Sequence, residues 1–127
     1  MKLLPGSKLK RSRLDLTAHI FDVRITKGAE SDLEAIHEYI AANRSGDEAN
    51  ALLDGLLNSI ITLEQFPLRG PVCPELERLG ISEFRQIYHG PHRLIYRVND
   101  KIVYIMIIAD SRRDMKALLE RRLLGRG

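Results

Sequence analysis

The chain has little of what secreted, membrane-spanning or metal-dependent proteins are built from. One cysteine, Cys73, among 127 residues excludes an intramolecular disulfide and a cysteine-based zinc site. No apolar run approaches the roughly 18 residues of a membrane span. The longest, Ile102 to Ala109, has the length of a strand. The N-terminus lacks the apolar core of a signal peptide. No carboxylate cluster marks a metal nuclease, and no internal repeat interrupts the pattern. The expectation is a cytoplasmic protein with no metal and no cofactor.

What is there is the composition of one globular domain. Hydrophobic residues make up 44% of the chain and charged residues 29%, enough for a single core. The net charge of +3 conceals a partition. Residues 1–20 carry five basic residues against one acidic, residues 21–80 five against eleven, and residues 81–127 ten against five. A basic C-terminal part follows an acidic middle. Such a surface either attracts an acidic or polyanionic partner, or the two parts neutralise each other across the fold.

Residues 1–18 show no period, a Pro-Gly break and a basic cluster. They read as a flexible basic leader, solvated or serving as a nucleic-acid-binding arm, with the domain proper over 19–127. Phe21, Val23 and Ile25 alternate with Asp22 and Arg24, which predicts a short strand. Ala29, Leu33, Ile36 and Ile40 then recur at helical spacing behind Glu30, Asp32 and Glu34. Asn43 to Gly46 breaks that helix, and Ser45 with Glu48 forms a capping box for the next. Ala49, Leu53, Leu56, Leu57, Ile60 and Leu63 line the second helix, which Pro67 ends. The two make an antiparallel hairpin. Residues 67–82 read as loop, with Cys73 a small packed residue in it.

From Phe84 onward the periodicity changes to two. Phe84, Gln86 and Tyr88 share one face of a strand; Arg85, Ile87 and His89 share the other. His89-Gly90-Pro91-His92 turns the chain. In the next strand Leu94, Tyr96 and Val98 oppose Arg93, Ile95 and Arg97. Asn99-Asp100 makes a tight turn. Ile102 to Ala109 is apolar on both faces, as a central strand is. Ser111, with Asp114 three residues on, caps a last helix striped by Met115, Leu118, Leu119, Arg122 and Leu123. The order β-α-α-β-β-β-α predicts an α+β fold: an antiparallel sheet, an N-terminal helical hairpin on one face, and a C-terminal helix.

A cleft holding Arg85, His89, His92, Arg93, Arg97, Arg112 and Arg113 would suit phosphates, because guanidinium forks match phosphate geometry. A histidine would make RNA cleavage possible as acid or base. No aromatic run alternates with these cations as stacking platforms require. Tyr88, Tyr96 and Tyr104 read as core residues. His19 and His37 stand alone.

These residues resemble the RelE/ParE toxin superfamily of type II toxin–antitoxin systems. The resemblance rests on AESDLEAI from Ala29 to Ile36 with Tyr39-Ile40, LEQFPLRG from Leu63 to Gly70, Phe84-Arg85, HRLIYRV from His92 to Val98, and Ile107 through Asp114. It covers about Phe21 to Leu124. RelE-like members are ribosome-dependent mRNA endonucleases. Their lysine pair falls on Phe84 and Gln86, their strand arginine on Arg93, their later arginine on Arg112, and their late tyrosine on Leu118. A nuclease would therefore keep only Arg93, Arg112 and His92, losing acid–base groups worth roughly 10²–10⁴-fold each.

The turn from Tyr88 to His92 and the segment around Phe84 look closer to the ParE branch, whose members poison DNA gyrase without catalysis. The helix from Arg112 to Leu124 is longer than in shorter ParE-like chains. The resemblance implies growth inhibition and plasmid stabilisation as the setting. It implies a cognate antitoxin, ParD-like or of another small class, in a hetero-oligomer, with the DNA-binding module on the antitoxin. Leu33, Ile36 and Leu53 are candidate antitoxin contacts, and an acidic antitoxin tail would be steered by the basic C-terminal part. Three readings stay open: a gyrase-binding toxin, a ribosome-dependent ribonuclease, and a degenerate toxin that only binds antitoxin.

Overall fold

The computed structural model describes residues 20–125; the leader at 1–18, and His19, lie outside them. The elements follow the expected order. Strand β1 (Asp22–Ile25) leads into helices α1 (Lys27–Asn43) and α2 (Gly46–Ile61). A one-turn helix α3 (Pro74–Glu77) precedes strands β2 (Phe84–His89), β3 (His92–Asn99) and β4 (Ile102–Asp110), and helix α4 (Met115–Leu123) closes the chain.

The three consecutive strands form the antiparallel meander, with Phe84 opposite Arg97 and His92 opposite Asp110. The sheet order is β1-β4-β3-β2, and β1 pairs with β4 in parallel. The helical hairpin carries the chain across the sheet, so this edge alone departs from antiparallel. It also makes β4 a central strand, as its two apolar faces require.

Side-chain chemistry places the helix boundaries. Thr26 caps α1: its Oγ1 accepts from the Ala29 N–H at 3.3 Å and donates to the Ile105 carbonyl at 2.7 Å. Ser45 caps α2 through the Glu48 N–H at 3.0 Å. The Glu48 carboxylate goes to Arg44 rather than back to the cap, so only half of the capping box forms. At α4 the cap is Asp114, which accepts from the Ala117 N–H at 3.1 Å, and not Ser111. Strand pairing shifts the second hairpin turn one residue, to Asp100–Lys101; Asp100 takes φ 56 there. Gly90 takes φ 57 at the first position of the other turn, a conformation that a two-residue hairpin with glycine leading requires.

The sheet separates two cores. On one face Val23, Ile25, Ile87, Leu94, Tyr96, Val103 and Ile105 pack against Leu33, Leu53, Leu56 and Ile60 of the helical hairpin. On the other, Phe84, Ile95, Ile107 and Ala109 meet Cys73 and Leu76 near α3 and Met115, Leu118 and Leu119 of α4. Residues 67–82, read as loop, thus hold a turn of helix and a buried wall. Their backbone also covers the edge of β2, where Cys73 N–H donates to Phe84 O at 2.8 Å and Gln86 N–H to Pro71 O at 3.0 Å. Gly70 makes this approach possible, since a Cβ there would stand 2.2 Å from the Gln86 carbonyl oxygen. Its N–H donates to the Tyr96 hydroxyl at 3.1 Å, and burial pushes that phenol's pKa up.

Of the three tyrosines assigned to the core, only Tyr96 is there. Tyr88 is 55% exposed and Tyr104 partly buried on an open part of the sheet. Leu33 and Leu53, candidate antitoxin contacts, are buried in the hairpin–sheet core, because the stripe that looked like an edge is the seam.

Candidate functional site

The strand alternation distributes the seven candidate cations over both faces and one end of the sheet. On β2, Arg85 points to the hairpin side and is spent on the covering loop, donating to Gly70 O at 2.7 Å. His89 lies over Gly55, where a Cβ would stand 2.5 Å from its Nε2, and its Nδ1 meets Ser59 Oγ at 3.2 Å. Arg97 sits on the opposite face, 3.4 Å from Glu83 and 5.8 Å from the centroid of the Tyr104 ring.

Arg93 is the deepest of the set, 5% exposed. Its Nε donates to Gln86 Oε1 at 2.8 Å and its Nη1 to Glu75 Oε2 at 2.9 Å; Nη2 reaches Glu75 Oε1 and, at 3.4 Å, Cys73 Sγ. The hydrogen bonds from Arg93 hold the Glu75 carboxyl down at about 2. Glu75 and Gln86 therefore consume the guanidinium fork. Burial raises the Cys73 thiol, which stays protonated and packed. Phe84, Gln86 and Leu118, at the superfamily's lysine and tyrosine positions, are all buried on this same side.

The remaining three, His92, Arg112 and Arg113, converge. They line an open cleft of about 780 Å³ at the sheet end, between α1, the β2–β3 turn and the β4–α4 loop. Ile36 and Tyr39 of α1, with Arg44 just beyond its end, form one wall. A backbone bond from Ser111 N–H to Pro91 O at 2.8 Å ties the loop to the turn. Asp110 orients the arginine: Arg112 Nε and Nη2 reach its two carboxylate oxygens at 2.9 and 2.7 Å. Arg112 thereby holds the Asp110 carboxyl well below the usual range. The Arg112 side chain is still 85% exposed, so the fork presents an outer edge to solvent.

His92 is buried beneath them with its Nδ1 unpartnered. Burial lowers its imidazole pKa more than Asp110 raises it, so the ring is neutral at about pH 7. The arrangement is a cationic rim over a neutral histidine, fit to receive acidic groups. The nuclease trio is not assembled: His92 and Arg112 share the cleft, while Arg93 is locked on the other face.

Sequence reasoning missed the carboxylates that sort these arginines. Glu75 lies in a proline-rich loop with no periodicity to flag it. Asp32 accepts from Arg122 at 3.0 and 3.1 Å and from the Ile108 N–H at 2.9 Å, fastening α4 and β4 to α1. Only their distance in sequence hid the pair.

The chain matches the family model described as the ParE toxin of type II toxin–antitoxin systems, parDE, over residues 23–115. This chain belongs to the ParE toxin family. A comparison with curated proteins gives no match. Among solved structures, the ParE-family chain resembles one from the chromosomal ParDE TA system of P. aeruginosa: 20% identity, TM-score 0.62, covering 73% of this chain and 98% of that one. It also resembles a chain of the toxin–antitoxin complex RelBE2 from Mycobacterium tuberculosis, at 23% identity and TM-score 0.52, covering 74% and 94%. At these identities the likeness is one of fold. Among the described residues no helix is long and apolar enough to cross a membrane.

Proposed function

We propose that this chain is a type II toxin that arrests growth by binding DNA gyrase without catalysing a reaction. The observation that carries this reading is the fate of Arg93. The arginine that a nuclease would turn toward a scissile phosphate is instead held by Glu75 and Gln86. Leu118, at the tyrosine position, is buried in the core. The cleft offers recognition instead, through the outer edges of Arg112 and Arg113 with Tyr39 beside them.

A cognate antitoxin neutralises the toxin by covering this cleft, with an acidic segment on the arginines and apolar contacts on Ile36 and Tyr39. Expression of the chain alone tests the proposal. Filamented cells with an induced DNA-damage response, relieved by the antitoxin, are expected. Rapid translation arrest with cut mRNA would overturn gyrase as the target in favour of the ribonuclease. No growth effect would leave a degenerate toxin that only binds antitoxin.

A further inference from the structure

The sheet end away from the arginine cleft holds a second depression, of about 600 Å³ and mostly apolar. Phe66, Pro67 and Leu68, which follow α2, form one wall; Val98 and Asp100 at the β3–β4 turn form the other, and Phe21 completes the lining. Phe66 and Leu68 are each 61% exposed. Large apolar side chains gathered at one surface point to a docking site, where scattered ones would not.

The chain enters the domain at this depression. Phe21 N–H donates to Glu64 O, beside the first wall, and Asp22 N–H to Lys101 O, beside the second, both at 2.9 Å. Residues that precede Phe21 therefore start at its mouth. Leu16 and Leu14 stand five and seven positions before Phe21. An extended chain covers about 3.4 Å per residue, so they have a reach of roughly 17 and 24 Å. So short a tether gives them an effective concentration of about millimolar, which a free partner must match by affinity. Charge agrees. Residues 1–13 carry five basic residues and no acidic one, whereas residues 21–80 carry eleven acidic against five basic. In the lining, Arg69 is turned onto Thr62, its Nε donating to Oγ1 at 2.9 Å, which leaves Asp100 as the charge of the rim.

We infer that residues 14–16 of the same chain dock in this depression, with Leu14 and Leu16 against Phe66, Leu68 and Val98. The basic residues before them then lie over the acidic part of the domain. Burial of the two leucines offsets the ordering of a short segment. The leader acts as a strap over the apolar entry point and keeps Phe66 and Leu68 from associating with other chains. A second copy would have to fill the same depression without the tether. The arginine cleft lies at the other end of the sheet, so the strap is separate from the proposed toxic function.

Limited trypsin digestion of the full chain tests this, with mass spectrometry timing the cut after Arg13. Docking protects that bond, because a protease cuts the opened state. The cut is expected to be slower than in a free peptide of residues 1–20. Phe66→Ser with Leu68→Ser speeds it about tenfold or more, the effect of one buried leucine. Leu16→Ser speeds it similarly, and the two changes combined add little, as for groups in contact. Both groove residues are largely exposed, so the fold survives their substitution; circular dichroism checks this. A wild-type chain cut as fast as the free peptide, or as fast as the groove variant, overturns the inference. A dimer in sedimentation equilibrium that Phe66→Ser disperses overturns it too, and gives the depression to a second copy. None of these variants touches the arginine cleft, so growth arrest is read independently by the expression test.

Discussion

Arg93 and Arg112 carry the same group near the same end of the same sheet, yet they have opposite fates. Arg93 alternates onto the face that α3 and α4 close over, and Glu75 and Gln86 take all of its fork. Arg112 follows β4 by two residues, where the chain leaves the sheet, and Asp110 holds it while its outer edge stays in water. Both are paired, so pairing does not distinguish them. Cover does: a buried pair is part of the fold, and an exposed pair is an oriented surface. In buried pairs, loss of one partner strands a charge in low dielectric; in exposed ones solvent replaces it.

The contrast is sharpest for loss of the buried partner. Glu75→Ala is expected to cost about 3–5 kcal/mol, because Arg93 remains buried without its counter-ion. Urea denaturation measures this, and a loss below about 1 kcal/mol would show that Arg93 is not held as described. Arg93→Ala leaves the partly buried Glu75 without its partner, so a change in toxicity there would not separate function from fold.

The same pair sets an acid limit. Arg93 brings the Glu75 carboxyl from its ordinary 4.5 down to about 2. A carboxyl depressed in the folded state adds stability above its unfolded value. That stability is present above about pH 4.5 and disappears as pH falls toward about 2. The denaturation midpoints of wild type and Glu75→Gln should converge over that window, and a constant gap would break the assignment.

Gly70→Ala probes the loop that closes the Arg93 side. Its Cβ would sit 2.2 Å from the Gln86 carbonyl oxygen, which is backbone and cannot swing away. A cost of about 1–3 kcal/mol is expected by thermal denaturation. A neutral outcome would mean that the loop is free to lift from β2.

On the exposed side stability should barely move. Arg112→Ala and Arg113→Ala are each expected within about 0.5 kcal/mol of wild type, with growth arrest weakened or lost. Full toxicity in the double variant would remove the cleft from the proposal. The smallest effect belongs to Arg44→Ala, whose exposed pair with Glu48 is worth about 0.3–0.5 kcal/mol. A larger loss on denaturation would mark Arg44 as more than a surface partner.

The element order, the two hairpins and the central position of β4 were legible because they rest on local periodicity and turn chemistry. A period of two or 3.6 is written residue by residue, and Gly90 and Ser45 announce their turns and caps. The site was legible only in its residue types. Alternation told which of Arg93, Arg97 and Arg85 share a side, but not which side would be covered. Leu33 and Leu53 looked like an edge for the same reason.

The sequence by itself determined the order of the main helices and strands, the family resemblance and the basic character of the last third of the chain. The tertiary structure alone decided which cations are locked into the fold and which stay at the surface, since Glu75 reaches Arg93 from 18 residues away and Asp32 reaches Arg122 from 90. Such pairings follow from how layers close over a sheet, and closure is a property of the whole packed chain, which no local pattern records.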